Sequence, residues 1–278
     1  MNAAAQQAIA VEGEFAFTWA DFHALARLVR DESGIVLPHA KANLVYSRLS
    51  KRVREIGLSC FADYCALVDS DANERARLIA AMTTNVTRFF REGHHFDHLR
   101  QEILSVLIRD ARAGRRIRLW SSACSSGEEP YSIAMTLLDA MPDAAEHDVR
   151  ILATDLDPNM LELGKAAHYP VARRADIPKS LQRYTEDHGA HFRIAAAARK
   201  LVSFRSLNLL KYWPIKARYQ VIFCRNVMIY FDQPTQDAIW TRFAEHLAPS
   251  GMIYIGHSER IASGPYALAA QTAYRRAP

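Results

Sequence analysis

The stretch Ser121-Ser122-Ala123-Cys124-Ser125-Ser126-Gly127 sets seven small residues ahead of Glu128-Glu129-Pro130. Small side chains let a backbone approach a ligand, and a helix opened by proline aims free N–H groups at it. With one glycine the stretch is not G-x-G-x-x-G, and no P-loop lysine follows, so alone it reads equally as a ligand loop or a tight turn. A second candidate is Thr154-Asp155-Leu156-Asp157-Pro158. Asp157, just before Pro158, suits a helix N-cap, which leaves Asp155 to accept hydrogen bonds from both hydroxyls of a bound ribose. Asn226 follows the run Tyr219 to Cys224, where its amide could read an adenine edge or a substrate group, or simply cap a helix. Tyr230, one turn later, is a site hydroxyl or a core aromatic. Asn85-Val86-Thr87-Arg88-Phe89-Phe90-Arg91 mixes polar side chains with two aromatics that are costly to expose, which predicts an ordered lid near a cleft; a helix start capped by Asn85 or Thr87 is the plainer alternative. His94, His95 and His98 have no Glu-x-x-His pattern or second ligand cluster beside them, so they read as a solvated helix face, and no metal is expected.

The elements that must hold these residues follow from periodicity. Phe22, Leu25, Ala26 and Val29 recur at helical spacing and stop near Ser33-Gly34. Val45, Leu49, Val53 and Ile56 make the apolar stripe of a second helix whose other face carries Arg48, Lys51 and Arg54. Further helices over 61–68 and 72–82, with no strand-like alternation, predict an N-terminal helical domain over residues 14–84, after an Ala/Gln-rich start expected to fray. Phe96, Leu99, Ile103, Leu107 and Ile108 form another amphipathic helix. Beyond it, strands at 117–120, 149–153, 201–204, 219–224 and 252–255 alternate with helices at 130–139, 158–165 and 235–247. That alternation predicts an α/β domain over 85–278, a doubly wound Rossmann-like sheet with ligand sites at its strands' carboxyl ends. Residues 168–198 are too long for a βα connection, so a small inserted antiparallel β-element is expected at about 168–200, with Phe192-Arg193-Ile194 pairing with Lys200 to Arg205.

Composition narrows the function classes. Half the residues are apolar and 23% charged, which fits a globular fold. The four cysteines show neither C-x-x-C spacing nor a Cys/His ligand set, so reduced thiols in a cytosol are expected. No apolar run approaches a membrane span, and the start lacks a signal peptide's basic region, so the expected location is cytoplasmic. The net charge of +5 is unevenly placed. No acid lies between Glu32 and Glu55, a gap holding Lys41, Arg48, Lys51, Arg52 and Arg54, and Lys165 to Arg218 holds twelve basic residues against three acids. Both blocks suit an acidic partner.

Taken together, N-V-T-R-F-F-R (85–91), W-S-S-A-C-S-S-G-E-E-P-Y-S (120–132), A-T-D-L-D (153–157), F-C-R-N-V-M-I-Y-F (223–231) and G-H-S-E (256–259) resemble the chemotaxis receptor methyltransferase (CheR) family, the S-adenosylmethionine-dependent protein-glutamate O-methyltransferases. The resemblance covers about residues 18–275 and implies an N-terminal helical domain joined to a methyltransferase α/β domain bearing a small antiparallel β-subdomain. It implies that Asn85, Thr87 and Arg91 line the cofactor cleft, that Glu129 and Asp155 hold the nucleoside side of S-adenosylmethionine, and that Asn208, Leu209, Asn226 and Val227 complete the pocket. Arg91 and Tyr230 would lie near the transferable methyl, and S-adenosylhomocysteine would be the product. The implied acceptors are glutamates on the cytoplasmic helical bundle of chemoreceptors, whose acidic surface the basic residues Lys41, Arg48, Lys51, Arg52 and Arg54 would meet.

One departure concerns a Gly-rich loop with which some members dock a receptor pentapeptide. Between Tyr184 and Val202 this chain is shorter and has one glycine, which argues against such tethering. A monomer is expected, and with the chain ending just after a strand-like Thr272 to Arg275, no appended repeat domain. A nucleic-acid methyltransferase would show an Asn/Asp-Pro-Pro-aromatic turn or a Pro-Cys nucleophile, and 226–229 has neither, so no nucleic-acid partner is expected. A non-catalytic module that senses S-adenosylmethionine and docks a receptor is the other alternative.

Overall fold

The computed structural model describes residues 9–262 and 264–277, which divide into two compact units. One comprises the chain up to Thr84 together with Tyr230–Asp232; the other comprises Asn85–Ile229 and Gln233 onward.

The first unit opens with a short antiparallel ribbon, β1 (Ile9–Val11) and β2 (Phe17–Thr18). No alternation announced it, because two strands this short have too few residues to show a period of two. Of the start expected to fray, residues 1–8 lie outside the described residues. Four helices follow: α1 (Trp19–Ser33), α2 (Ala42–Glu55), α3 (Phe61–Ser70) and α4 (Ala72–Met82). Thr18 and Asp21 close a reciprocal capping box at the start of α1, and Asp71 caps α4 by accepting from the N–H groups of Asn73 and Glu74. Phe22, Leu25 and Val29 of α1, Val45, Leu49 and Val53 of α2, Phe61 of α3 and Leu78 of α4 bury against one another. Into this apolar core intrudes Glu74, whose two oxygens take Arg52 Nε at 2.8 Å and Nη2 at 2.6 Å, with the Tyr64 hydroxyl at 3.3 Å.

The second unit begins with α5 (His94–His98), a π-helical turn at Leu99–Ile103, and α6 (Leu104–Arg112). The π turn adds one residue to the helical repeat, so the buried stripe steps from Leu99 by five to Leu104 before resuming at Leu107 and Ala111. This is why Ile103, expected on the stripe, is only partly buried. Next come β3 (Ile117–Ser122), α7 (Glu128–Ala140), β4 (Val149–Asp155) and α8 (Pro158–Ala166). The insert follows, with β5 (His168–Pro170), β6 (Thr185–His188) and β7 (His191–Ile194), and then α9 (Ala196–Leu201), β8 (Val202–Ser206), β9 (Tyr219–Cys224), α10 (Gln233–His246), β10 (Leu247–Ile255), β11 (Tyr266–Ala270) and β12 (Ala273–Arg276). The main sheet runs in the order β11-β12-β10-β9-β3-β4-β8, its strands parallel from β10 to β8 and antiparallel where β12 joins β10 and β11. This is the expected Rossmann-like α/β arrangement. From β3 the chain winds outward through β4 to β8 and, on the other side, through β9 to β10, so the sheet reverses between β3 and β9, and a ligand crevice opens at their carboxyl ends. α7 is buried almost all round, consistent with an unbroken apolar run instead of a single stripe.

The insert corrects one expected pairing. Phe192–Ile194 does not pair with Lys200 to Arg205; β7 pairs antiparallel with β5 and β6, while β8 joins the main sheet parallel to β4. The helical turn α9 separates them, starting at Ala196 with Ala195 just before it.

Glu74→Gln keeps the side-chain shape and removes the charge facing Arg52. Urea unfolding at neutral pH should show a loss of about 2 kcal/mol, less than the roughly 3–5 kcal/mol of a fully buried pair because the Arg52 side chain is 26% exposed. The hydrogen bond from Arg52 holds Glu74 below the ordinary carboxylate range despite burial. The stabilisation is therefore present above that range and fades as pH falls through it, so wild type and variant should converge in acid.

Candidate functional site

At the carboxyl end of β3 the small-residue loop turns sharply, with left-handed backbone at Ala123 (φ 58°), Ser125 (φ 49°) and Gly127 (φ 96°). A Cβ at Gly127 would lie 3.0 Å from the Gly164 Cα and from the Tyr169 hydroxyl, so this position takes glycine for both its dihedral and its space. Left-handed residues other than glycine cost about 1 kcal/mol each and persist where surrounding contacts hold them. Here the holding group is Asp155, at the end of β4. Its Oδ2 accepts the Ser125 N–H at 2.7 Å and its Oδ1 the Asp157 N–H at 2.9 Å. Each oxygen keeps a further acceptor site. Burial pushes Asp155 above its usual range, with these N–H groups opposing. Asp157 caps α8 through the Asn159 N–H, as its position before Pro158 implied, and its other oxygen accepts from Asn85 Nδ2 at 3.0 Å.

Asn85 also receives the Ser125 hydroxyl on its carbonyl, so the segment entering this unit is tied to both of the first two strand ends. Downstream, Phe90 (φ 50°) and Glu92 (φ 56°) again adopt left-handed backbone, and the Phe90 N–H donates to Ser132 Oγ on α7. The Thr87 carbonyl accepts from Arg173, and Arg91 Nη1 donates to the Val86 carbonyl at 2.9 Å. The segment is thus an ordered, non-helical strap, which agrees with the lid reading and not with the helix-start alternative.

The centre of the crevice is charged. Arg225, just past β9, has a side chain 2% exposed, and it pairs with Glu129 at 2.9 Å and Glu92 at 3.2 Å while also donating to the Arg91 carbonyl. Glu129 accepts the Ser121 hydroxyl at 2.7 Å as well. Burial opposes ionisation of Glu92, yet Arg225, His257 and Asn226 outweigh it and hold the group at about 2. For Glu129 the balance tips the other way: burial raises it and Arg225 opposes.

Asn226 (φ 58°) turns its amide Nδ2 to Glu92 and its N–H to Glu259. Glu259 is buried and accepts four backbone N–H groups, from Gly256 at 2.6 Å, Asn226 at 3.0 Å, and Val227 and Met228 at 2.8 Å. A Cβ at Gly256 would fall 2.4 Å from Asn226 Nδ2, so only glycine lets this clamp close. Asn208 and Leu209 follow a backbone bond from the Leu207 N–H to the Asp155 carbonyl; Asn208 Oδ1 then accepts the Leu210 N–H, and the buried Leu209 offers its carbonyl to Trp213 and Arg242.

The second unit thus ties Asn85 to the loop that Asp155 holds, and Arg91, Glu129 and Asn226 to the Arg225–Glu92 cluster, with Val227 on Glu259; Asn208 and Leu209 only follow Leu207, and the Thr87 contact is to Arg173. Tyr230 is described with the helical unit, where the Val36 N–H donates to its carbonyl at 3.0 Å. The basic residues also belong to the helical unit, and not all are free. Arg48 Nη1 donates to the carbonyls of Ala81 and Thr83 at the end of α4, Arg52 is engaged by Glu74, and Arg54 pairs with Glu14. Lys41 and Lys51 are exposed, Lys51 with only a 3.7 Å contact to Glu55. Three of the five are thus partly structural, because a long cation beside a helix end or a buried acid satisfies that group before any partner does.

Arg225, Glu92 and Glu259 were missed as site residues. Glu92 follows N-V-T-R-F-F-R and Arg225 sits inside F-C-R-N, so an arginine and an acid adjoining the motif residues were the available signal. The histidines also need correction: His95 is fully buried, with Nε2 and the Thr272 hydroxyl 2.7 Å apart, and burial with Arg225 and His94 nearby drives it down to about 3. Among the described residues no group of three or more His, Cys, Asp or Glu is placed to hold a metal. Burial pushes the Cys124 and Cys224 thiols far up, which leaves them poor nucleophiles.

Residues 20–83 match the family described as CheR methyltransferase, all-alpha domain, and residues 85–274 match CheR methyltransferase, SAM binding domain. The chain is 47% identical over 241 residues to a probable chemotaxis protein methyltransferase of Rhizobium etli, covering 84% of this chain and 90% of that one. It is 40% identical over 252 residues to chemotaxis protein methyltransferase 2 of Pseudomonas aeruginosa, covering 88% of each. Over 268 residues it is 41% identical to a chemotaxis protein methyltransferase of Klebsiella aerogenes, covering 92% of this chain and 89% of that one.

Arg225→Met would leave Glu92 and Glu129 buried without their cation, and unfolding experiments at neutral pH should show a loss of about 3–5 kcal/mol. Without Arg225 both folded-state carboxyls rise above their unfolded values, so the variant regains stability as pH falls, while wild type loses the share that the lowered Glu92 contributes. The gap should therefore narrow towards pH 4; a gap independent of pH would exclude the charge explanation.

Proposed function

The chain belongs to the CheR methyltransferase family, and on that premise we propose that it forms methyl esters on glutamate side chains in the cytoplasmic helical bundle of chemoreceptors. It is an S-adenosylmethionine-dependent methyltransferase of chemotaxis. The observation that carries the fuller reading is a pair of carboxylates, the buried Asp155 at the carboxyl end of β4 and the partly buried Glu129 in the first turn of α7. Asp155 has one spare acceptor site on each oxygen, which fits two ribose hydroxyls. Around Arg225 two carboxylates share one cation, an excess of negative charge that fits a positively charged cofactor. No helix among the described residues is long and apolar enough to cross a membrane.

When bound, S-adenosylmethionine would supply an electrophilic methyl on a sulfonium; an acceptor carboxylate oxygen would take it as the C–S bond gave way, with S-adenosylhomocysteine as leaving group and no net proton transfer. A glutamate is already ionised at cytoplasmic pH, so the protein's task is alignment. Asn85, Thr87, Asn208, Leu209, Asn226 and Val227 shape the nucleoside pocket. Arg91 is the residue proposed to hold one acceptor oxygen, its backbone fixed by Arg225 and its guanidinium by the Val86 carbonyl. Tyr230 is proposed as the second orienting group on the resemblance alone.

The direct test incubates the chain with methyl-labelled S-adenosylmethionine and receptor cytoplasmic bundles. Label released as methanol by mild base is the expected result; base-stable label would reject ester formation. Arg91→Ala should lower kcat at least tenfold while S-adenosylhomocysteine affinity falls much less, and near-normal turnover by a folded variant would remove Arg91 from the mechanism.

The partner is tested through the two exposed cations. Because Arg48 and Arg52 hold the fold, the informative change is Lys41→Glu with Lys51→Glu. Methylation should slow at low salt, cofactor affinity should stay unchanged, and the difference should shrink as salt approaches 1 M, where screening acts within about 3 Å. Equal rates at low salt would take these lysines out of receptor recognition.

A further inference from the structure

We infer that the three-stranded insert braces the cofactor site, with Tyr169 and Arg173 as its positioning residues. The proposal rests on the reading that this crevice holds S-adenosylmethionine, and gives the insert a task in that binding.

Two contacts carry it. Tyr169, in the middle of β5, donates its hydroxyl to the Ser126 carbonyl at 2.7 Å, inside the small-residue loop. Its ring meets Phe89 of the strap edge-on at 4.9 Å and lies 5.7 Å from Phe192 of β7. Arg173, in the 3-10 turn after β5, donates Nη1 to the Thr87 carbonyl at 2.6 Å. The insert thus grips one backbone carbonyl in the small-residue loop and one in the strap.

The loop needs such a grip. Ala123 and Ser125 sit in left-handed backbone, and Asp155 restrains the loop at the Ser125 N–H only. Tyr169 restrains the adjoining residue through its carbonyl, so the two contacts fix the peptide groups on either side of the Ser125–Ser126 peptide. Without the hydroxyl the loop would occupy its binding-competent form for a smaller fraction of the time, and apparent affinity falls in proportion to that fraction. On the other wall, Arg173 does the same for the strap between Asn85 and Arg91.

The test uses the full chain. Tyr169→Phe keeps the ring and its packing, and Arg173→Gln alters an exposed side chain, so both variants should fold. For Tyr169→Phe, the S-adenosylhomocysteine Kd and the KM for S-adenosylmethionine should each rise about fivefold, with kcat within twofold of wild type. Arg173→Gln should move both about threefold in the same direction. A merely structural role would lower the unfolding midpoint yet leave Kd unchanged well below it. If the wild-type chain binds S-adenosylhomocysteine and both variants stay within twofold, the brace is overturned alone. If the wild-type chain does not bind it, the cofactor reading falls, and the brace with it.

Discussion

A guanidinium buried between two carboxylates is the constraint on which the crevice depends. Arg225 cannot be withdrawn from water without anions around it, and Glu129 on α7 and Glu92 on the strap supply them. Those three groups come from parts of the chain far apart in sequence, so satisfying the charge fixes the end of β9, the start of α7 and the strap together. The Arg91 carbonyl, taken by the same guanidinium, places the residue proposed to orient the acceptor. Buried ion clusters are weak sources of net stability, because desolvation cancels most of the attraction, but they are strict about geometry. That strictness is what an alignment-driven methyl transfer uses.

Two other carboxylates act as scaffolding. Asp155 and Glu259 each gather backbone N–H groups that would otherwise be left unpaired where strands end, Asp155 at β4 and Glu259 between the ends of β9 and β10. Loops at such strand ends cannot use the sheet ladder, and buried N–H groups need acceptors. Glu259 occupies the Val227 and Met228 N–H groups fully, which leaves Asn226's side chain and backbone carbonyl to do any reading of a ligand. Asp155 keeps acceptor sites in reserve. Two residues of similar chemistry therefore serve differently: one is saturated by the protein, the other only half so.

The layered sheet was legible because β3, β4 and β9 are apolar runs of strand length with helical patterns between them, and burial on both faces demands that. The division of labour between Asp155 and Asp157 was legible too, since a residue before proline at a helix start has few other roles. Pairing inside the insert was not: β6, β7 and β8 are all short, and although the alanines of 195–198 favour a helix, no local pattern says that a single turn of it parts β7 from β8. Nor could the surface status of Arg48 and Arg52 be read, because their acceptors lie 22 to 35 residues away. His95 looked solvated for the same reason, its partner Thr272 being 177 positions distant. Local pattern reports which face of an element is apolar; it is silent on which polar groups meet across the fold.

The π turn at Leu99–Ile103 makes the first helix of the methyltransferase unit a counting device. Its extra residue rotates the two halves by about 100° relative to a regular helix. The leading half can then set His95 against Thr272 and stack Phe96 on Phe223, while the trailing half turns Leu104, Leu107 and Ala111 to the core. Deleting one residue within the turn would leave an intact, better hydrogen-bonded helix whose halves no longer face their partners together. Length there is therefore held more strictly than the identity of most side chains. Homologous chains should tolerate exchanges of side chain in this helix far more readily than a one-residue gap.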